Sequence, residues 1–292
     1  MKALITGITG QLGYDIKRTL EELGYTDIVA PTYLEMDITN EDQVASYILN
    51  NKPDIIYHCA AYTAVDKAEE EQEKCYNINV LGTRYIAKYA NRVGAKLIYI
   101  STDYVFHGDK DGLYEPTDPI NPVNYYGKTK YLGEQEVITN TSNYIITRIS
   151  WVFGLNGNNF IKTMLRLATT HSELNVVSDQ IGSPTYTKDL SKLLIKMSLS
   201  DKTGIYHVTN EGYCSWAEFA EYIFKEANLN VKVNPILTKD YKTTATRPLN
   251  SKMDKAKLLE DGFYKLPTWQ DATKRYLEEL NKEKEVENKW KY

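Results

Sequence analysis

The sequence predicts an α/β protein built on a doubly wound parallel sheet, followed by a smaller α/β lobe. Three observations predict it. The glycine-rich turn "TGITGQLG" (6–13) directly follows an apolar run at the start of the chain. Apolar runs of strand length then alternate with amphipathic stretches of helix length. Several of those runs are apolar on both faces, as strands are when helices cover both sides of a parallel sheet.

The elements follow in order. "KALIT" (2–6) is the first strand. "QLGYDIKRTLEELG" (11–24) is the first helix, because Leu12, Ile16, Leu20 and Leu23 recur at helical spacing and Gly24 suits its end. "DIVAP" (27–31) reads as the second strand, and "NEDQVASYILNNK" (40–52) as a helix capped by Asn40. "DIIYHCAAY" (54–62) is a buried strand, and "EKCYNINVLGTRYIAKYANRVG" (73–94) one long amphipathic helix. "KLIYIS" (96–101) and "YIITRIS" (144–150) are strands with a helix around 125–139 between them, which closes the first domain at 1–150. After Trp151 the rhythm loosens. "NNFIKTMLRLATTH" (158–171) is helical and "YHVTN" (206–210) a strand. "SWAEFAEYIFKEANL" (215–229) is a helix opened by a capping box of Ser215 and Glu218. Residues 151–292 are therefore assigned mainly to the smaller lobe, with a return to the sheet near 185–210. "NKEKEVENKWKY" (281–292) reads as a frayed, charge-rich helix end.

Composition narrows the classes. A chain of 292 residues has room for one large domain or two modest ones. Its net charge of −4 lacks the basic footprint of a nucleic-acid binder. No apolar run approaches the roughly 18 residues of a membrane helix, and "MKALITG" is too short for the apolar region of a signal peptide. The three cysteines, Cys59, Cys75 and Cys214, are odd in number and far apart, with no Cys-x-x-Cys. The four histidines form no metal-spaced pair. The expectation is a cytoplasmic protein with neither disulfides nor a zinc site. Most of the 24 tyrosines read as half-buried packing residues.

Three motifs carry chemistry. Gly7, Gly10 and Gly13 lie between a strand and a helix, where a turn without side chains lets backbone N–H groups approach a pyrophosphate and the helix N-terminus favours its charge. A dinucleotide site also carries a reader of the adenine ribose after the second strand. There "VAPTYLEMDITN" has no carboxylate at the strand end and no Arg or Lys for a 2′-phosphate. Asp37 is placed near the adenine, and the missing base tilts the reading to NAD over NADP. In "NYYGKTK" (124–130), Tyr126 and Lys130 are four apart at a helix start and share a face. An ammonium beside a phenol lowers its pKa and makes Tyr126 a general acid or base near neutral pH. In "ISTDYVFHG" (100–108), Ser101 and Thr102 offer hydroxyls at the carboxyl end of a strand, placed to polarise a carbonyl oxygen.

In this order the motifs resemble those of the extended short-chain dehydrogenase/reductase family, and within it the branch that reduces 4-keto nucleotide sugars. The matching stretches are "TGITGQLG", "DIT", "CAAYTAVDKAE", "STDYVF", "YGKTK", "SWVFG", "NNFIKTML", "DQIGSPT" and "RPLNS", spanning residues 6–251. The resemblance implies a Rossmann domain that binds NADH or NADPH and a substrate-binding lobe. It places Gly7, Gly10, Gln11 and Leu12 at the pyrophosphate and Asp37 with Ile38 at the adenine. Ala60, Ala61 and Tyr62 line the ribose and nicotinamide side, which Tyr126 and Lys130 also reach. Thr102, Tyr126 and Lys130 are the implied catalytic set. Asp103, Tyr104 and Trp151 face the sugar beside Thr102, and Arg247 meets the substrate pyrophosphate. The implied reaction delivers hydride to C4 of dTDP-4-dehydro-6-deoxy-L-mannose (dTDP-6-deoxy-L-lyxo-4-hexulose) and yields dTDP-L-rhamnose.

Some features depart from the branch or stay open. His107 stands where the branch carries Asp. Some relatives hold magnesium at a homodimer contact; Asp15 occupies a comparable place, but one carboxylate is no metal site. Dehydratases of the same scaffold carry an acid after Thr-Asp, where this chain has Tyr104. Cys214 and His171 lie outside the motifs that would serve an epimerising reductase. A 4-ketoreductase of another nucleotide deoxysugar, or a silent regulatory subunit of the same fold, are the alternatives. Retention of Thr102, Tyr126 and Lys130 argues against the second.

Overall fold

The structure, a computed structural model, describes residues 1–289, with side chains described as far as Glu283. Six parallel strands form the central sheet. In spatial order they are Gly204–His207, Tyr144–Ile149, Lys96–Thr102, Ile55–His58, Ala3–Thr6 and Ile28–Val29. Ala3 pairs with Ile28 on one side and Ile55 on the other. The chain thus leaves Ala3–Thr6 in opposite directions, and the glycine turn after Thr6 sits at the reversal of strand order, where such sheets bind ligands.

Strand period explains the layers. Ala3, Ile5, Ile55 and Tyr57 point into a core with Ile16 and Leu20 of the helix Gln11–Glu22 and Leu190, Leu193 and Leu194 of the helix Thr187–Ser198. The intervening Leu4, Ile56 and Leu97 point the other way, onto Ile48, Ile86 and Ala90. A third core lies around Phe153, Ile161, Tyr186, Phe219, Ile223, Trp269 and Tyr276. Three two-stranded ribbons frame it: Glu173–Val177 with Lys232–Ile236, Ile181–Gly182 with Cys214–Ser215, and Val152–Phe153 with Thr185–Tyr186.

Two elements differ from the sequence reading for physical reasons. Residues 73–94 are not one helix: Gln72–Tyr76 and Thr83–Val93 are separated by a π-helical turn, Asn77–Gly82. Buried Asn79 turns inward there. Its side chain accepts from the Tyr62 N–H at 2.8 Å and donates to the Tyr62 carbonyl and the Thr129 hydroxyl. Such widened turns are a common device at functional sites. The second strand is only Ile28–Val29, on the sheet edge, and Pro31 beyond it has no N–H to extend a ladder. The capping box of Ser215 and Glu218 opens the helix Trp216–Glu226. Of the tail 281–292, residues to Lys289 continue the helix Trp269–Lys289, and the last three lie outside the described residues.

Candidate active site

The glycine turn is built for close approach. Gly7 has φ +70°, and a Cβ there would lie 2.7 Å from the Ala60 nitrogen, so only glycine fits. The Gly10 N–H closes the turn on the Gly7 carbonyl at 2.9 Å. Gly10 then serves as N-cap of the helix Gln11–Glu22 without a side-chain cap, which leaves the helix N-terminus to a ligand anion. The Gln11 side chain is engaged elsewhere, accepting from the Gly154 N–H at 2.8 Å and the Asn159 amide at 3.1 Å. It ties the glycine loop to the segment 154–159.

A cavity of about 1330 Å³ opens from this turn. It exceeds the roughly 300–1,000 Å³ of a single small-ligand pocket, so a dinucleotide fits beside a second ligand. Its walls include Gly7, Gly10, Gln11, Leu12, Asp37, Ile38, Ala60 and Ala61, and also Thr102, Asp103, Tyr104, Tyr126, Lys130 and Trp151. Pro31, Thr32, Tyr33, Asp37 and Ile38 also line it, as does Lys74. The Asp37 carboxylate accepts from the Thr39 N–H at 2.9 Å and its hydroxyl at 2.8 Å, so it shapes the loop.

The candidate reaction centre lies where the strand Lys96–Thr102 meets the helix Tyr125–Asn140. Asn124 caps that helix through the Gly127 N–H at 2.8 Å, which sets Tyr126 and Lys130 on its first turns. The Thr102 hydroxyl accepts from the Tyr104 N–H at 3.2 Å and donates to Asp103 at 3.0 Å. Burial raises the Asp103 carboxyl to about 6, with hydrogen bonds from Ser251 and Thr102 opposing in part. Tyr126 meets the Tyr104 ring edge-on, with centroids 5.8 Å apart. The Lys130 ammonium stands 4.2 Å from the centroid of the buried Tyr99 ring. Burial lowers it to about 7, against the attraction of Glu134.

The expected lowering of the Tyr126 pKa is not what the structure has. Burial outweighs every other influence and pushes this phenol above its ordinary value, with a Thr102 hydrogen bond opposing in part. At neutral pH Tyr126 therefore keeps its proton. It is Lys130 whose pKa is brought near neutral pH.

Residues 1–282 match the RmlD substrate binding domain family. The chain belongs to that family. It is 45% identical over 285 residues to a dTDP-4-dehydrorhamnose reductase of Aggregatibacter actinomycetemcomitans, covering 94% of this chain and 97% of the relative. It is 43% identical over 278 residues to the spore coat polysaccharide biosynthesis protein SpsK of Bacillus subtilis, covering 95% and 97%. The crystal structure of dTDP-4-dehydrorhamnose reductase from Bacillus anthracis in complex with NADP superposes with a TM-score of 0.93 at 44% identity, covering 96% and 100%.

Within this RmlD-family site, two expected residues stand elsewhere. Tyr62 is buried behind the cavity wall, its N–H on Asn79 and its phenol donating to Glu71 at 3.2 Å. Arg247 does not line the cavity. Its guanidinium grips Asp66 at 2.8 and 2.5 Å and holds that carboxyl down to about 2. His107 is also outside the cavity, 3.2 Å from Asp109. Asp15 is fully buried, accepts from the Thr187 hydroxyl and lies 3.3 Å from Arg18. No group of three or more His, Cys, Asp or Glu able to hold a metal occurs among the described residues.

Sequence reasoning missed the support beneath the site. Buried Glu134, one turn beyond Lys130, accepts from the Ser101 hydroxyl at 2.5 Å and from Arg148 at 2.9 and 2.8 Å. An arginine inside the apolar run "YIITRIS" was the available signal, since a charge there requires a buried partner. Trp216 was also missed as a cavity residue.

Proposed function

We propose that the chain reduces the 4-keto group of dTDP-6-deoxy-L-lyxo-4-hexulose to give dTDP-L-rhamnose. The observation that carries this reading is Thr102, Tyr126 and Lys130 on one cavity with the glycine turn, in a chain 45% identical to a reductase of that name. A helix N-terminus with no side-chain cap and the side-chain-free Gly7 fit a dinucleotide pyrophosphate. The lean toward NAD rested on the absence of a base at the adenine end. We take NADPH instead, because the Bacillus anthracis relative was solved with NADP. We place the protein in the cytoplasm, as the odd number and wide spacing of its three cysteines suggest. No helix among the described residues is long and apolar enough to cross a membrane.

NADPH supplies the hydride. The chain's residues handle the oxygen and the proton. With substrate bound, the Thr102 hydroxyl turns its single proton from Asp103 to the carbonyl oxygen and polarises it. The Tyr126 phenol, protonated at neutral pH, donates its proton to that oxygen as it becomes an alcohol. Lys130 is a cation beside them that titrates near neutral pH, and the Asp103 carboxyl on the same cavity accepts from a sugar hydroxyl.

The test is oxidation of NADPH and NADH by purified protein, with the keto sugar generated in place from dTDP-4-keto-6-deoxyglucose and a 3,5-epimerase. Epimerase-dependent turnover with NADPH preferred supports the reading. Turnover without the epimerase would assign another deoxysugar, and none with either cofactor would refute the reductase.

A further inference from the structure

The backbone of Trp151, at the end of the strand Tyr144–Ile149, sits at φ +49°. This left-handed conformation is strained for a bulky side chain, and strain of that kind persists only where the surroundings impose it. Here they do. The Trp216 indole stacks on Trp151, centroids 3.6 Å apart and planes 11° from parallel. The Trp216 N–H donates to Gln180 at 3.2 Å, and Gln180 in turn donates to the Thr238 hydroxyl at 3.1 Å. Phe160 backs Trp216 at 4.6 Å. Gly182 lets the backbone of its ribbon come up against the Trp151 ring, since a Cβ there would lie 2.6 Å from Cε2. Cys214 pairs with Gly182 in that ribbon, and the capping box of Ser215 and Glu218 fixes where Trp216 leaves it. Both indoles line the cavity that holds Thr102, Asp103 and Tyr126.

We propose that Trp216 is a specificity-determining and positioning residue: it locks the strained Trp151 in place, and the paired indoles form an apolar wall that selects a hexose with a deoxygenated edge. The proposal rests on the reductase reading and adds what discriminates among sugars. A flat π surface packs against C–H and methyl groups and offers nothing to a hydroxyl, which would lose its water there. A 6-deoxy sugar is therefore favoured over its 6-hydroxy counterpart.

The experiment uses the full chain and the variants Trp216→Leu, Trp216→Phe and Gln180→Leu. Far-ultraviolet circular dichroism reads the exciton couplet of two stacked indoles, which Trp216→Leu abolishes. Titrations measure binding of dTDP-L-rhamnose, dTDP alone and NADPH. Trp216→Leu weakens dTDP-L-rhamnose about tenfold, the loss of one aromatic contact, with dTDP and NADPH unchanged. It raises KM more than it lowers kcat, and Trp216→Phe restores most of the affinity. Equal weakening of dTDP and dTDP-L-rhamnose, or wild-type affinity with the couplet gone, overturns the proposal. Should Trp216→Leu not fold, Gln180→Leu decides, since it frees the indole N–H. A sugar-specific loss of about threefold from that one hydrogen bond supports the proposal, and no loss overturns it. Wild-type protein that neither binds dTDP-L-rhamnose nor turns over the keto sugar would instead overturn the reductase reading, and this proposal with it.

Discussion

Lys130→Met should make the free protein more stable while it abolishes turnover. Burial brings the Lys130 ammonium from the ordinary 10.5 to about 7. At about 1.36 kcal/mol per pH unit, keeping this group charged in the fold costs on the order of 5 kcal/mol. Methionine retains the apolar stem and removes the charge, so a gain of about 2–5 kcal/mol is expected at pH near 6, or roughly 5–10 °C in Tm. The pH dependence carries the sign. Below about 7 the lysine is protonated in both folded and unfolded chains, and the cost is fully present. Between about 7 and 10.5 the folded chain loses this proton while the unfolded chain keeps it, so wild-type stability rises with pH across that window. The gap between the two proteins therefore closes toward 10.5. Urea unfolding of both, without cofactor, at acidic, neutral and alkaline pH measures it. A variant no more stable than wild type near pH 6, or a gap that does not change with pH, would refute the reasoning.

Further outcomes follow from the same contacts. Tyr126→Phe removes the proposed proton donor and should lower kcat by about 10²–10⁴ while NADPH binding, followed by its fluorescence, is unchanged. Glu134→Gln leaves buried Arg148 without a countercharge and should destabilise the fold by about 3–5 kcal/mol in urea; a loss below about 1 would mean that water reaches the pair. Gly7→Ala forces a Cβ against Ala60 and should weaken NADPH at least about tenfold in a fluorescence titration, the equivalent of about 1.4 kcal/mol. Asp66, held at about 2 by Arg247 against an ordinary 3.8, contributes stability that is complete above 3.8 and lost as pH falls through about 2. Acid unfolding of Asp66→Asn should lack that component, and because Asp66 is partly exposed the effect is about 1 kcal/mol or less.

Local signals read well because local physics produces them. The strand at 2–6, the glycine turn and the first helix were legible together, since a parallel strand buries both faces and a phosphate turn excludes Cβ atoms. Tyr126 and Lys130 were legible as a pair because helical spacing alone puts them on one side. The helix at 73–94 was not, because its interruption depends on Asn79 finding the Tyr62 backbone and the Thr129 hydroxyl, groups contributed by other segments. The fate of Arg247 was equally hidden: its partner Asp66 lies 181 residues away, and a guanidinium suits a carboxylate as well as a phosphate.

The sequence by itself determined the alternation of elements, the place of the glycine turn and the residue types at the reaction centre, all set by side-chain period and backbone sterics over a few residues. Only the tertiary structure decided how those groups are charged and held. Burial of Tyr126 and Lys130 comes from several segments at once, and it reversed the expected shift of the phenol. The stack of Trp151 on Trp216 exists because a ribbon and a helix start bring together residues far apart in the chain. Desolvation and long-range pairing depend on which atoms surround a group, and that neighbourhood exists only once the chain has folded.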